Sequence, residues 1–478
     1  MARPDMNSSL HETLHAAFTV QHEAARRDHS PSLRVRRERL ARIKALIENN
    51  AALWIDTISQ DFGHRSAQVT EVADLFVLRT GLKQISAQLS RWMKPRRVST
   101  PVVLQPASAR IVPQPLGVVG VMSPWNYPLQ LSLGPSMAAL AAGNHVMLKP
   151  SPLSPAFSQA LAEKVGQAFS PEEFTVVVGG DALGPLFAAL PFDHLFFTGS
   201  TRVGRLVAQT AGANLTPVTL ELGGKSPCII DASCDLRVAM PRIVHGKLLN
   251  SGQTCIAPDH VYVPRSRVNA FIKAFETSVR KMFPSIAANP DYTTIISDAH
   301  FQRLQSLLAD AAEQGATLRM AHEPERAQAD AARKCLPTLV LGATPGMRVL
   351  REEIFGPILP VLPYDDIDTV LANVNAADRP LALYWFGADR ERGEHVLANT
   401  LSGTVGMNDT LMQIAHKNLP FGGVGASGMG AYHGETGFRT FSKLRPVLDQ
   451  SRFSVGGMLY PPYGRAFEQT LGMVKKLS

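Results

Sequence analysis

Apolar side chains recur every third or fourth residue over positions 10–95, and the residues between them are mostly polar. This spacing gathers the apolar side chains on one face of a helix, so the segment is predicted to be helical. Residues 96–116 break the pattern, because valines and isoleucines stand there among prolines and polar residues. That composition predicts a β-hairpin or an extended ribbon.

From residue 117 onward, short apolar runs alternate with segments of helical periodicity. Strands are predicted at 117–122, 145–148, 174–178 and 195–198, and helices at 129–142, 153–169, 183–190 and 201–211. Strands that alternate with helices form a parallel sheet covered on both faces, which places the chain in the α/β class. Such sheets bind ligands at the carboxyl ends of their strands, so a ligand site is expected at that edge.

A second α/β region is predicted from about residue 222. Its strands are expected at 259–263, 338–341 and 359–363, and its helices at 266–283 and 299–314. Residues 318–334 are rich in Ala, Glu and Arg and are predicted to be a surface excursion. The glycine-rich stretch 421–430 is expected to adopt unusual backbone angles and to approach its neighbours closely.

The composition narrows the class of protein. Hydrophobic residues make up 45% and charged residues 18% of the 478 residues, which argues against a disordered chain. A chain of this length can bury a large core without disulfides or metals. The net charge of +8 is densest over residues 34–44, where acidic residues interleave and apolar residues keep helical spacing. We interpret that segment as a solvated helix face and expect no nucleic-acid partner, although positive charge would suit an anionic cofactor.

The four cysteines are scattered, and no pair has the spacing of a CxxC motif. No histidines cluster at metal-ligand spacing, so neither a zinc site nor a redox disulfide is expected. Few, scattered thiols in a long chain fit a reducing compartment. No apolar run reaches the roughly 20 residues that a membrane-spanning helix needs. The acidic residues Asp5, Glu12 and Glu23 argue against a transit peptide, so a cytoplasmic location is expected.

Three segments hold residue types that could carry chemistry, and each has a structural alternative. Residues 196–204 join a strand to a helix, where free N–H groups either attract phosphate or are capped within a turn. Glu221 ends a strand beside two glycines and is either a functional carboxylate or a satisfied structural one. Cys255 follows small polar residues, and a lone cysteine is more often a buried small side chain than a nucleophile.

These segments belong to a longer series of motifs that occur in one order. The series is SPWNYPL (123–129), LKPS (148–151), FTGS (197–200), LELGGKSP (220–227), GQTC (252–255), EEIFGP (352–357) and LPFGGVGASGMG (419–430). Over residues 110–446 the chain resembles the aldehyde dehydrogenase superfamily. NDT at 408–410 and YHGETGF at 432–438 resemble its class 3 branch, which includes fatty aldehyde and coniferyl aldehyde dehydrogenases.

The resemblance implies the fold and its division. A Rossmann-like, parallel-sheet cofactor domain is expected from residues 1–96 and 117–221, and an α/β catalytic domain from 222–430. A small β-ribbon oligomerisation element is expected from 97–116, together with the C-terminal tail 431–478. The resemblance also implies a homodimer formed through this ribbon. The tail 455–478 has no long apolar stretch, so a membrane anchor is not expected.

The resemblance also implies the catalytic roles. Cys255 would attack the aldehyde carbon, and Asn126 would donate its amide N–H to the resulting oxyanion together with the Cys255 backbone N–H. A free thiol has a pKa of about 8.5, so the site must lower that pKa or supply a base. Glu221 would deprotonate the water that hydrolyses the thioester. The presence of Glu221 favours a free carboxylic acid as product over transfer of the acyl group to coenzyme A.

The cofactor residues follow from the same resemblance. Lys149 would hold the adenine-side ribose, Gly199, Ser200 and Gly204 would flank the pyrophosphate, and Glu353 and Phe355 would hold the nicotinamide end. The remaining expected cofactor contacts are Trp125, Ser151 and Leu222.

One position departs from the family pattern. Pro152 stands where NAD-preferring members often carry a Glu that binds the ribose hydroxyls and repels a 2′-phosphate. Both NAD and NADP are therefore expected to serve, and Arg202 is a candidate partner for the additional phosphate.

The substrate stays open at this stage. Aromatic aldehydes such as coniferyl aldehyde, or medium-chain aliphatic aldehydes, suit the class 3 resemblance. A semialdehyde dehydrogenase is the alternative, but it needs a basic anchor for the substrate carboxylate, and no motif identifies one. A non-catalytic protein that keeps the fold would be expected to lose Cys255, Glu221 or Asn126, and all three are present. Tyr432, His433 and residues 411–416 are candidates for the wall of the substrate tunnel.

Overall fold

The computed structural model describes residues 6–477. Its N-terminal part is helical, which confirms the prediction for residues 10–95. The helices are α1 (Met6–Arg27), α2 (Leu33–Asn49), α3 (Ala51–Phe62), α4 (Ala67–Thr70) and α5 (Val77–Trp92), with a π-helical turn at Glu71–Phe76. The predicted ribbon follows as β1 (Arg96–Val98) and β2 (Ser108–Pro115).

The next segment alternates strands and helices, as its apolar pattern predicts. The elements are β3 (Val118–Met122), α6 (Pro128–Ala142), β4 (His145–Lys149), α7 (Pro155–Ala168), β5 (Phe174–Val176), α8 (Leu183–Ala188), β6 (His194–Thr198), α9 (Thr201–Gly212) and β7 (Val218–Glu221). Every residue of β3, β4 and β6 is buried, because helices cover both faces of the sheet.

The second α/β region begins with β8 (Pro227–Ile230). It continues with α10 (Leu236–Leu248), β9 (His260–Pro264), α11 (Val268–Met282), α12 (Asp298–Glu313), β10 (Thr317–Met320), α13 (Arg326–Ala331), β11 (Thr338–Leu341), α14 (Arg348–Arg351), β12 (Ile358–Tyr364), α15 (Ile367–Ala376), β13 (Ala382–Phe386), α16 (Arg390–Asn399), β14 (Thr404–Met407) and α17 (Met412–Ala415). The chain then forms β15 (Gly428–Met429), α18 (Gly434–Thr440), β16 (Ser442–Asp449) and α19 (Arg465–Leu477).

The strands form three sheets. The first has the order β15-β7-β6-β3-β4-β5, and all its neighbours pair in parallel except β15 with β7. The second has the order β10-β11-β12-β9-β8-β13-β14 and is parallel except for β10 at its edge. The third is the antiparallel ribbon β1-β2-β16. The chain is therefore α/β with two parallel-sheet units and a small antiparallel element, as expected.

The structure corrects the expectation for residues 318–334. They were predicted to be a surface excursion, but most of β10 lies there and pairs with β11 at the edge of the second sheet. Exposed and half-buried positions alternate along β10, since an antiparallel edge strand covers the core with one face only. Residues 326–331 form the short helix α13, so only part of this segment is irregular.

The glycine-rich stretch has the unusual backbone that its composition predicts. Gly425, Gly428 and Gly430 have φ angles of 64°, 153° and 78°. Gly428 pairs with Glu221 through β15, which attaches this stretch to the first sheet at the end of β7. The stretch thus lies directly beside a carboxylate that the sequence singles out.

No helix within residues 6–477 combines the length and the apolar character that a bilayer crossing requires.

Candidate active site

A cavity of about 290 Å³ collects most of the predicted site residues. Its lining includes Trp125, Asn126, Gly199, Ser200, Glu221, Leu222, Cys255, Glu353 and Phe355. Strands β6 and β7 of the first sheet end at the lining residues Thr198 and Glu221, and β3 ends two residues before the lining residue Pro124. This is the edge where a parallel sheet is expected to bind its ligand. Three predicted cofactor residues, Lys149, Ser151 and Gly204, lie outside the lining.

The loop that presents Cys255 has a tightly constrained backbone. Asn250 and Ser251 have positive φ angles of 53° and 54°, a conformation that non-glycine residues seldom adopt. Gly252 follows with φ 74°, and a Cβ there would collide with the carbonyl oxygen of Gly356. Strained backbone of this kind persists where surrounding contacts enforce it, as is common at active sites. The position of the thiol is therefore set by the fold.

Gln253 fastens the same loop from its other side. Its Nε2 donates to the carbonyl oxygens of Asn250 and Thr294 at 3.0 and 3.1 Å. Its Oε1 accepts from the backbone N–H of Ile296 at 3.0 Å. These three bonds satisfy the buried amide and hold the loop against the segment that precedes α12.

The thiol of Cys255 lies in surroundings that disfavour its charged form. Burial raises the pKa of the thiol to about 12, and the nearby carboxylates of Glu353 and Glu221 contribute to the rise. A thiolate at this position would lose hydration and would be repelled by two anions. In this state the nucleophile is a thiol, so its activation requires a change in the charge around it or a base.

Asn126 is buried and rigidly held. Its Nδ2 donates to the carbonyl oxygen of Gln253 at 3.1 Å, which leaves one amide hydrogen for another acceptor. The backbone carbonyl oxygen of Asn126 accepts from Asn250 Nδ2 and from Arg65 Nη1, both at 3.0 Å. Arg65 is paired with the equally buried Asp74 at 2.7 Å. The donor is thereby fixed relative to the Cys255 loop.

Glu221 is only 3% exposed and ends β7. Neither of its carboxylate oxygens has a hydrogen-bond partner among the residues that the structure describes. Burial raises its pKa well above the usual value for a glutamate. A buried polar group without a partner is costly, so its retention in a cavity beside a thiol is an indication of function.

The segment that carries Glu353 and Phe355 also lines the cavity. Phe355 has a positive φ of 51°, and its ring packs edge-on against Trp125 with centroids 5.5 Å apart. The Glu353 carboxylate lies directly over Gly223, where any Cβ would collide with it. Burial raises the pKa of Glu353 to about 7, with a smaller contribution from the Asp259 charge.

Residues outside the predicted set fasten this segment. The Asp259 carboxylate accepts from the backbone N–H of Ile354 at 2.8 Å and forms an ion pair with Lys225. Lys225 Nζ also donates to the carbonyl oxygens of Val349 and Glu352 at 2.7 and 2.9 Å. Charged groups that hydrogen-bond backbone in a buried setting hold it more firmly than neutral ones.

His300 and Arg303 line the cavity although no motif singled them out. The His300 ring packs edge-on against Trp125 at 5.2 Å. Arg303 Nη1 donates to the carbonyl oxygen of Glu353 at 3.1 Å. Both belong to α12, for which the sequence predicted a helix but no chemical role. Nothing in the local sequence indicates that these two side chains face the cavity.

The cofactor side offers unused hydrogen-bond donors. Ser200 caps α9, and its Oγ accepts from the Val203 backbone N–H at 3.4 Å. Lys149 is buried, and within residues 6–477 the one hydrogen bond of its Nζ is to the neighbouring Pro150 carbonyl oxygen at 3.3 Å. Burial lowers the pKa of Lys149, while the Asp181 charge acts in the opposite direction. A buried ammonium with free N–H groups and a helix start beyond a glycine fit the hydroxyls and phosphates of a dinucleotide.

Gly204 and Ser151 have indirect positions. Gly204 lies on the buried side of α9 against Leu222, where a Cβ would press into the leucine side chain. Ser151 closes the turn after β4, because its Oγ accepts from the Leu153 backbone N–H at 3.2 Å. Both shape the backbone beside the cavity.

The residues that were candidates for the wall of a substrate tunnel lie in different parts of the structure. Tyr432 and His433 line a second, smaller cavity, whereas residues 411–416 belong to neither lining. Leu411 is instead buried, and its backbone N–H donates to the Tyr384 hydroxyl at 3.4 Å.

The chain is similar to known proteins over nearly all of its length. The model of the aldehyde dehydrogenase family matches residues 5–447. A probable coniferyl aldehyde dehydrogenase of Pseudomonas aeruginosa is 46% identical over 456 residues, which are 95% of each chain. The substrate-bound structure of Staphylococcus aureus AldH has a TM-score of 0.90 and 34% identity and covers 96% of this chain and 99% of its own. A Mycobacterium tuberculosis aldehyde dehydrogenase in complex with NAD+ has a TM-score of 0.81 and 27% identity, covering 92% of this chain and 90% of its own.

Proposed function

The chain belongs to the aldehyde dehydrogenase family, and we propose that it oxidises an aldehyde to the free carboxylic acid with Cys255 as its nucleophile. The observation that carries this proposal is the meeting of Cys255, Asn126 and Glu221 in one cavity, although they stand far apart in the sequence. A thiol, an amide donor and an unpaired carboxylate are the groups that acyl chemistry through a thioester requires.

In the first step the Cys255 thiol gives up its proton to water, its sulfur bonds to the aldehyde carbon, and the carbonyl π bond breaks so that the oxygen becomes an oxyanion. Asn126 Nδ2 and the Cys255 backbone N–H are the donors proposed for that oxygen. One such donor contributes typically about 3–4 kcal/mol to transition-state stabilisation. A nicotinamide held in this cavity would supply the acceptor for the hydride of the same carbon, and Cys255 would then carry a thioester.

In the second step Glu221 takes a proton from water. The water oxygen bonds to the acyl carbon, the carbon–sulfur bond breaks and the carboxylic acid leaves. The absence of any hydrogen-bond partner for Glu221 among the described residues supports this role, because its oxygens are available to a water molecule. It also supports water over coenzyme A as the acyl acceptor.

The cofactor is a dinucleotide, in keeping with the family. Lys149 would hold its adenine-side ribose, the N-terminal end of α9 with Gly199 and Ser200 its pyrophosphate, and Glu353 and Phe355 its nicotinamide end. Trp125 stacks edge-on against Phe355 and would limit the space at that end.

The substrate proposed is an aromatic aldehyde of the coniferyl aldehyde type. The name of the Pseudomonas aeruginosa relative, at 46% identity, supports this choice. The domain boundaries and the cytoplasmic location expected from the sequence stay proposals as well.

An aldehyde panel tested with both cofactors examines the proposal. Absorbance of the reduced cofactor should rise with aromatic aldehydes, and kcat/KM with NADP should lie within about tenfold of that with NAD, a difference of about 1.4 kcal/mol. The reason is Pro152, which lies in the turn after β4 and can neither bind ribose hydroxyls nor repel a 2′-phosphate. If no aldehyde in the panel leads to cofactor reduction, the proposed function is wrong. A strong preference for NAD would contradict only the proposal that both cofactors serve.

A homodimer is proposed through the ribbon β1-β2-β16. This element leaves large apolar side chains exposed, among them Val102, Leu448 and Phe453 in or beside the ribbon. Exposed apolar groups of this kind commonly mark protein contacts. Light scattering is expected to give twice the mass of the chain, and a tetramer or monomer would contradict the proposal.

A further inference from the structure

A second cavity lies beside the active site and has no role in the chemistry described above. It has a volume of about 30 Å³, which is room for one or two water-sized groups. Its apolar wall includes Leu78, Ile85 and Met137, and its polar lining is Gln84, Gln130, Lys417, Tyr432 and His433. The elements that meet there are α5, α6 and the loops around residues 417 and 433.

Lys417 enters this cavity without a counter-ion. It is 8% exposed, and among the described residues no carboxylate lies within ion-pair distance of its amine. Within the described part of the chain its amine makes one hydrogen bond, to His433 Nε2 at 3.1 Å. Burial lowers the pKa of Lys417 to about 7. A buried amine with unused N–H groups is costly unless a ligand or water satisfies them.

His433 adds a second unused group. Because an ammonium can only donate, Nε2 accepts from Lys417 and the neutral ring carries its hydrogen on Nδ1. That Nδ1 is buried and has no partner among the described residues. The cavity therefore holds donors on two neighbouring side chains.

Gln84 supplies the opposite kind of group. Its Nε2 donates to Asn418, whereas its Oε1 is buried and has no partner in the described part of the chain. A hydroxyl can accept from Lys417 and donate to Gln84 at once. A carboxylate can only accept, and it would be repelled by the Gln84 oxygen. The polar lining therefore matches a hydroxyl better than a carboxylate.

The cavity is close to the reacting groups. The ring of Tyr432 lies 4.4 Å from that of His433. Burial raises the pKa of the Tyr432 hydroxyl, and the nearby charges of Glu221 and Cys255 add to the rise. Gln130 of α6 lines this cavity, and the next residue, Leu131, lines the active-site cavity. Helix α6 therefore borders both cavities, and a substrate long enough to reach from Cys255 into the second one would place its far end among these groups.

We propose that this second cavity is a subsite for the phenolic hydroxyl of a hydroxylated aromatic aldehyde, with Lys417 as its main donor and Gln84 as its acceptor. The apolar wall would contact the ring beside the hydroxyl. The inference rests on the proposed function, which it deepens by naming the substrate feature that this chain selects.

The test compares benzaldehyde, 4-hydroxybenzaldehyde and 4-carboxybenzaldehyde as substrates of the full-length enzyme. The ratio of kcat/KM for the hydroxylated to the unsubstituted aldehyde is expected to fall about tenfold in Lys417→Met, the effect of one lost hydrogen bond. Lys417→Gln keeps a donor and should retain part of the selectivity. Lys443→Met, on an exposed position of the ribbon strand β16, is the matched control and should keep the wild-type ratio.

A binding measurement separates this inference from the proposed function. In a Cys255→Ala background, calorimetric titration with 4-hydroxybenzaldehyde should give an affinity about tenfold weaker when Lys417→Met is added. If Lys417→Met weakens binding but the wild type shows no turnover, the proposed function is contradicted and the subsite is supported. An unchanged ratio and affinity in Lys417→Met, or a preference for the carboxylated aldehyde that depends on Lys417, would overturn the subsite.

Discussion

Replacing Cys255 with alanine is expected to lower kcat for aldehyde oxidation by at least about 10⁴-fold, to the limit of detection. The reason is that no other residue in the cavity lining offers a thiol for the covalent bond to the aldehyde carbon. The three remaining cysteines are all buried away from it. The measurement is the steady-state rate of cofactor reduction with saturating aldehyde, together with mass spectrometry of the acylated protein.

The matched control for this change is Cys234→Ala, since Cys234 is also a free thiol but lies outside the cavity lining. Its turnover should stay near that of the wild type, apart from a modest loss of stability from a smaller buried side chain. Residual activity of the Cys255→Ala enzyme within tenfold of the wild type would refute the assignment of Cys255 as the nucleophile. So would an acyl adduct on another residue.

The high pKa of Cys255 shows what activation must overcome. The first contribution is burial, and the next two are the carboxylates of Glu353 and Glu221. Burial also raises the pKa values of both carboxylates, that of Glu353 to about 7, so each holds its proton more readily than a free glutamate. Protonation of either carboxylate removes a repulsion on the thiolate. The protonation state of these two carboxylates therefore bears on how readily the Cys255 thiol ionises.

Much of the fold could be predicted from the sequence because its central strands have a distinctive apolar pattern. Strands β3, β4 and β6 are buried on both faces, so they read as continuous apolar runs between helical segments. The same logic should have revealed β13, whose residues Ala382–Phe386 are all buried. The outer ribbon strand β16 is harder, because most of its residues are exposed and it contains Pro446. Neither an apolar run nor a regular alternation marks it.

The candidate site was predictable only where motifs carry it. Asn126, Glu221 and Cys255 stand in motifs of their own, and the structure brings all three to one cavity. His300 and Arg303 face the same cavity from an ordinary helix, so only the packing of α12 reveals them.

The second cavity could not have been predicted from the sequence at all. It joins Gln84 to Lys417 and His433, which are separated by more than half of the chain. A single sequence holds no signal for such a meeting. The structure also shows that Lys417 is a buried basic group in this cavity, which the sequence alone could not identify.

Replacing Glu221 with glutamine should separate the two halves of the reaction. Glutamine has nearly the same shape but cannot take a proton from water, so hydrolysis of the thioester should slow and kcat should fall by about 10²–10⁴-fold. The rapid first release of reduced cofactor should remain, because Cys255 and Asn126 are untouched. Stopped-flow absorbance should therefore show a burst of about one equivalent per active site followed by a much slower steady rate.

The pH dependence gives this prediction a second, independent readout. The pKa of Glu221 is raised by burial, so in the wild type the basic form is gained, and thioester hydrolysis accelerates, as the pH rises through that raised value. The variant should lose this rise, since glutamine does not titrate. Glu163→Gln, on the exposed surface of α7, is the control and should keep both the rate and the profile. Loss of the burst together with the steady rate would show that Glu221 acts before the thioester forms, most simply as the base for the Cys255 thiol, and would move its role from the second step to the first.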